Sequence, residues 1–292
     1  MRAKLLLFFC LTMGYSISAS IPETQKRALL DFHKSTNGEQ WTEKWDLNKS
    51  VSSWYGVEIE NNNVVSLNLI DNKLSGSLPK SIGQLKHLRV FDVAFNKISG
   101  TIPEEITGLK KLKELRLGKN DLTGGIPSKI TNLHQLEVLD LFHNRLSGTL
   151  PPNMEKLEKL RIISISDNKF AGSLPKGLEK LVHLERLELG NNQIEGVIPE
   201  SLGTLKNLKS VVFAENKFEG KFPSAILSLP NLKVVQIQRN NFDKFDLKNS
   251  IPKESNFALL DYDDDQFNKG DFKEMYLNND IRTADTKFDD EN

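Results

Sequence analysis

Apolar and polar positions along this chain keep a frame of 24 residues. Asparagine stands at Asn72, Asn96, Asn120, Asn144, Asn168, Asn192, Asn216 and Asn240. The residues around it read L-x-x-L-x-L-x-x-N-x-L: Val64, Leu67 and Leu69 before Asn72, Leu88, Phe91 and Val93 before Asn96, Leu136, Leu139 and Leu141 before Asn144, and Leu184, Leu187 and Leu189 before Asn192. The Leu-x-Leu alternation predicts a short strand with one apolar face, and stacked copies pair as a parallel sheet with neighbours about 4.8 Å apart. Each Asn falls where the chain turns away from the strand, and its amide offers donors and an acceptor to backbone groups that would otherwise be buried and unpaired. Downstream comes Gly-x-apolar-Pro, from Gly76–Pro79 to Gly220–Pro223, and then Ile82, Ile106, Ile130 and Leu202 with Leu85, Leu109, Leu133 and Leu205 to close the outer side. Glycine frees the backbone and proline fixes φ on the return, so each copy is one coil of a curved solenoid.

These motifs resemble the leucine-rich-repeat family, specifically its plant-type 24-residue class, over 64–247 as eight copies with the last partial. The resemblance implies an α/β repeat solenoid: a right-handed curved coil with a parallel β-sheet on its concave face and a helical, aromatic N-terminal cap. Residues 21–63 are read as that cap. Ala28, Leu29 and Phe32 form one side of an amphipathic helix, and Trp41, Trp45 and Trp54-Tyr55-Gly56-Val57 lead into the first coil. Plant-type caps usually carry paired cysteines, and here Ile59 stands where one is expected, so aromatic packing must replace the disulfide. That departure resembles the cysteine-free members secreted by bacteria. At the other end Phe257, Leu260, Tyr262, Asp265 and Phe267 repeat the frame in degenerate form, so 248–282 is expected to be a capping repeat and 283–292 a disordered acidic tail.

The first twenty residues change where the protein is expected to act. Arg2 and Lys4, the apolar run Leu5 to Met13 and the small residues Ser16, Ser18, Ala19 and Ser20 follow the order of a secretory signal peptide over 1–20. Gly14, Tyr15 and Ser16 end the run before the about 18 apolar residues that a membrane span needs. A secreted product is expected, extracellular or, in a bacterium, periplasmic, with no membrane span. The single cysteine, Cys10, lies in the leader, so no intramolecular disulfide and no multi-cysteine zinc site is available. Lys+Arg and Asp+Glu both number 39, so no global basic field draws the chain to nucleic acid. The neutrality is a sum, since 248–292 carry 6 basic and 12 acidic residues.

Candidate chemistry is sparse. The chain has no Gly-x-Ser-x-Gly, no His-Glu-x-x-His and no phosphate-cradling glycine loop, and its five histidines are scattered. Asp92 and Asp140 occupy equivalent strand positions two coils apart, about 10 Å, which approaches the spacing of an inverting glycosidase pair. Arg116 falls between them, and an Asp-Arg-Asp ladder is expected to keep both carboxylates ionised with no raised pKa. Asp261, Asp263, Asp264 and Asp265 fail the EF-hand pattern, because Gln266 and Phe272 stand where it needs glycine and glutamate, so a solvated acidic coil is the reading. No catalytic residue, metal ligand or cofactor is assigned.

What remains is the face of the strands turned away from the core. In coils two to five it carries Val90, Phe95, Val138, Phe142 and Ile162 beside Arg116, Asp140 and His143. Aromatic anchors with an arginine are the composition of a protein-binding hot spot, whereas exposed β-branched residues alone would only reflect strand preference. The sequence therefore predicts a secreted, non-enzymatic, monomeric protein that binds another protein through its concave face. Extracellular polysaccharide is the alternative ligand and glycoside hydrolysis a second alternative. Sugar platforms favour Trp or Tyr, and all three Trp fall in the cap.

Overall fold

Because every copy repeats the same alternation, its strand pairs with the equivalent strand of the next copy in unshifted parallel register, as in Ile162↔Arg186, Ile163↔Leu187 and Ser164↔Glu188. In the computed structural model, which describes residues 21–243 and 257–261, these pairings build a ten-stranded sheet from Val57–Glu60 to Leu259–Asp261. Its first two strands, Val57–Glu60 and Asn63–Asn68, are antiparallel and the others parallel. We number the coils one to eight by their asparagines, Asn72 to Asn240. On the outer side short 3₁₀ turns such as Lys80–Gln84, Glu104–Gly108 and Ser128–Asn132 follow the prolines, and coil seven closes with a single α-helical turn, Ser224–Leu227. Where proline heads the turn, as Pro79, Pro103 and Pro127 do, it loses no hydrogen bond, since a first-turn N–H has no helical partner.

A second parallel sheet, of eight short strands from Ser75–Ser77 to Asn241–Phe242, runs along the edge of the coils, a feature that the frame alone did not announce. It forms where the Leu-x-Gly segments stack, and its glycines, Gly100 and Gly148 among them, adopt positive φ that a side chain would strain. Between the two sheets and the outer turns lies one continuous core that contains Leu67, Leu115, Leu139, Leu187 and Val211 with Ile82, Ile106 and Ile130.

The asparagines tie coil to coil. The Asn120 amide nitrogen donates to the carbonyls of Val93 (3.0 Å) and Leu117 (3.1 Å), and its oxygen accepts the Ile98 N–H at 2.9 Å. Asn96, Asn144, Asn168, Asn192, Asn216 and Asn240 repeat this pattern. Asn72 makes the same use of the cap: its oxygen accepts the Glu43 N–H at 2.6 Å and its nitrogen donates to the Glu43 carbonyl at 3.2 Å. The residue before each of these asparagines is left-handed, from Asp71 (φ 49) to Arg239 (φ 56).

At the N-terminal end the helix Glu23–Ser35 buries Ala28, Leu29 and Phe32. Trp45 stacks on Trp54 with ring centroids 4.7 Å apart and meets Trp41 edge-on at 4.9 Å. Each indole N–H is satisfied by a carbonyl, of Thr36, Tyr55 and Asp46 respectively for Trp41, Trp45 and Trp54. Gln25 fixes the helix to the sheet, accepting the Val64 N–H at 2.8 Å and donating to Asn63 at 2.8 Å. The expected leader at 1–20 and tail at 283–292 lie outside the described residues, and of the expected capping repeat at 248–282 only 257–261 are described. Of the acidic run expected to be solvated, Asp261 is described, and it is buried in the last strand.

Candidate binding face on the concave sheet

Strand alternation divides each coil: Leu187 and Leu189 enter the core, so Arg186, Glu188 and Gly190 stand on the concave face, and equivalent positions form columns spaced by the sheet. One such column runs Asn68, Asp92, Arg116, Asp140, Ser164, Glu188, Val212 and Gln236; the next runs Ile70, Ala94, Gly118, Phe142, Ser166, Gly190, Ala214 and Gln238. The left-handed residues, from Asp71 to Arg239, form a further column.

In coils two to four these columns bring Phe95, Arg116, Asp140, Phe142 and His143 together. The Phe142 ring lies directly over Gly118, where a Cβ would come within 2.1 Å of it, and its centroid is 5.7 Å from that of Phe95. Lys119 reaches over the Phe95 ring with Nζ 5.8 Å from the centroid. His143 is exposed, its ring 6.5 Å from Phe142. Val90 and Ile162 are half-buried; Val90 pairs toward coil three at Glu114, and Ile162 joins Val138 to Arg186. Phe95 and Arg116 are also half-buried, whereas Val138, Asp140 and Phe142, placed by the sequence on a face that water covers, are buried. For Phe142 the glycine beneath it and the neighbouring Phe95 account for part of that burial.

The acidic residues differ from the expected ladder. Arg116 turns to Glu114 (3.0 Å) and Asp140 (3.8 Å). Asp92 instead accepts the Ala94 N–H at 3.0 Å, and burial pushes its carboxyl above the usual carboxylate value, outweighing that bond and the Arg116 charge. The expectation of no raised pKa is thus corrected at Asp92: a group stripped of water, with its cation drawn elsewhere, loses more from desolvation than it recovers. Asp167 is raised for the same first reason, although Asn191 donates to it at 2.7 Å. No group of three or more His, Cys, Asp or Glu that could hold a metal is found among the described residues, and no helix among them is long and apolar enough to cross a membrane.

One contributor was passed over in the sequence. Ile70, in the same column as Phe142, is 42% exposed in coil one, and Tyr55 of the cap is exposed too. The signal for Ile70 was its column, since an apolar residue there has no core to enter. All three Trp are buried in the cap, so none forms an aromatic platform on the concave face.

The family model described as a leucine-rich repeat region matches residues 66–170 and 119–257. A curated relative, the leucine-rich repeat receptor-like protein kinase PEPR1 of Arabidopsis thaliana, is 36% identical over 92 residues, 29% of this chain and 8% of that protein. The crystal structure of PEPR1-AtPEP1 is 30% identical with a TM-score of 0.68, over 81% of this chain and 34% of that one. The Arabidopsis receptor kinase HAESA, solved with the peptide hormone IDA and the co-receptor SERK1, is 36% identical with a TM-score of 0.58, over 61% of this chain and 30% of that one. A plant ice-binding protein shares the fold at 23% identity and a TM-score of 0.62, over 82% of this chain and 85% of that one. The chain thus spans under a tenth of the curated relative and about a third of the solved receptor chains. Repeat frame, stacked sheet and family match agree, and the chain belongs to the leucine-rich-repeat family.

Proposed function

We propose that this is a secreted, non-enzymatic, monomeric binding protein whose concave face, over coils one to four, takes a protein or peptide ligand. The observation that carries the reading is Phe95. Every other described coil puts a polar or charged residue at this left-handed position: Asp71, Lys119, His143, Asp167, Asn191, Glu215 and Arg239. A bulky apolar side chain there enters no core, and an L-residue held left-handed costs about 1–2 kcal/mol. Phe95 is set between Lys119 and Phe142, with the exposed Ile70 one coil away, which gives an aromatic anchor with a cation and an apolar rim. The likeness to HAESA, whose structure holds a peptide hormone, supports a peptide or protein as the class of ligand. Secretion rests on the leader-like first twenty residues. Catalysis is not part of the proposal, which assigns no nucleophile, general acid or metal ligand.

Affinity capture with the full chain tests this. Phe95→Asp should lower capture of the bound protein by roughly 30-fold, equivalent to about 2 kcal/mol for an anchor. Val197→Asp, at an exposed position on the second sheet, should leave it unchanged. Equal capture by both variants would remove Phe95, and with it the concave site.

A further inference from the structure

Charge is not spread evenly around the coils. On the flank where each outer turn returns to the concave sheet, Leu85 and Leu88 enter the core and Lys86, His87 and Arg89 stand outside it. One coil on, Leu109 and Leu112 enter the core and Lys110, Lys111 and Lys113 stand outside. These six flank positions of coils two and three hold five Lys or Arg, one His and no carboxylate. The column nearest the sheet neutralises itself: Arg89 meets Glu60, Lys113 meets Glu137 at 3.0 Å, and Glu185 takes both Arg161 at 2.6 Å and Lys209 at 2.7 Å. The two outer columns do not. Among the described residues no carboxylate pairs with Lys86, Lys110 or Lys111, and all three are exposed. Lys110 Nζ is held instead by the carbonyls of Thr107 (3.0 Å) and Asn132 (3.4 Å), and Lys111 Nζ lies 3.2 Å from His87 Nδ1. Two coils further, Lys159 donates to Gln135 at 2.6 Å. Like charges stacked on neighbouring coils cost stability, and these neutral partners fix their direction without cancelling them.

We propose that this flank, over coils two to five, binds a linear acidic polysaccharide through carboxylate or sulfate groups on its sugars. From Lys86 and Lys111 to Lys159 the row of cations covers three inter-coil steps, roughly 14 Å, a length that an extended polymer follows and a single small anion leaves mostly unmet. The row is built from lysine. An ammonium is a hydrated point charge that takes an anion from several directions, which suits a flexible chain, whereas bidentate recognition of phosphate favours arginine. Arg89, the one arginine among the six positions, is tied to Glu60. No exposed aromatic stands on this flank among the described residues, so bases of a single-stranded nucleic acid find no platform to stack on. A lipid surface would need an apolar face beside the charges, and Val182, exposed on the same flank, stands alone in coil six. The choice of an extracellular polymer rests on the secretion proposed above. The placement of charge does not, and the surface is distinct from the one that carries Phe95.

Binding of the full chain to alginate, which carries carboxylates, and to dextran sulfate tests it and tells the two anionic groups apart. At least one polymer should bind, and its affinity should fall at least about tenfold between about 0.05 and about 0.5 M salt. Lys86→Glu, Lys110→Glu and Lys111→Glu together should weaken binding at least about tenfold, and the three Gln substitutions at the same positions by an intermediate amount. Lys97→Glu, Lys169→Glu and Lys217→Glu change the net charge equally at exposed positions on the second sheet, and should weaken binding by no more than about twofold. Circular dichroism should be the same for all. Retention on neither polymer, or equal losses from the two Glu triples, would overturn the site, and tighter binding of duplex DNA than of either polymer would overturn the choice of ligand. Capture of a protein ligand should be unchanged in the Lys86, Lys110 and Lys111 variant, so loss of one binding without the other separates this inference from the concave-face reading.

Discussion

The two ends of the concave sheet are built from the same strand in the same register, yet they differ in what lies on them. In coil one Asn68 and Ile70 are exposed, while the equivalent Val212 and Ala214 of coil seven and Gln236 and Gln238 of coil eight are buried. The ends of the solenoid core are closed differently too. The N-terminal end is closed by the tryptophan stack and the antiparallel strand Val57–Glu60, and Ile70 on the concave face beside it stays exposed. The C-terminal end continues into Leu259–Asp261, and its outward-facing Val212, Ala214 and Val234 are buried. The repeat fixes the coil and leaves the concave columns to vary, so surface properties must be read coil by coil.

Removing the N-terminal closure should have the largest effect. Trp45→Ala empties the place between Trp41 and Trp54 and should cost about 3–5 kcal/mol in denaturant unfolding, with protection lost first from coil one. Leu187→Ala, in the middle of the core, should cost about 2–5 kcal/mol and spread its loss to both sides, because each coil is supported only by its neighbours. If both variants lost protection in the same region, the ends would not be separately closed. Asn120→Ala should cost about 1–3 kcal/mol, since the carbonyls of Val93 and Leu117 and the Ile98 N–H would lose a buried partner.

The smallest effects are in the pH dependence, and they have opposite signs in cap and sheet. His33, packed against Trp41 and Trp45, has its pKa lowered by burial, with Glu39 opposing. The unfolded chain therefore takes up this proton more readily. His33 contributes stability that is present above its unfolded value of 6.5 and lost as pH falls through the lowered folded value. Asp92 is raised, so its contribution is full below its ordinary value of 3.8 and is lost as pH rises through the folded value. Asp92→Asn keeps an acceptor for the Ala94 N–H and should raise stability at pH 7 by no more than about 1 kcal/mol, a gain that vanishes in acid. His33→Gln should flatten the loss of stability between neutral and mildly acid pH. Unfolding curves at several pH values check both signs.

Most of this fold was legible because the repeat states it many times. The Asn spacing, the Leu-x-Leu alternation and the Trp-rich cap each had a local physical cause. The second sheet was not legible, because its short strands lie in Leu-x-Gly segments whose glycines read as turns until the coils are stacked. The candidate face was legible in its columns, which placed Phe95, Arg116 and Phe142 side by side. Its burial was not. Gly118 makes room for the Phe142 ring only in three dimensions, and Arg116 chooses Glu114 and Asp140 over Asp92.

Hydroxyl-radical footprinting of the full chain, with and without the captured ligand, tests most directly that the open end of the concave sheet is the binding surface. Ligand should reduce oxidation at Ile70, Val90 and Phe95 and leave Val182 and Val197, exposed away from that face, unchanged. Protection at Val182 or Val197, with Ile70 and Phe95 unaffected, would contradict it.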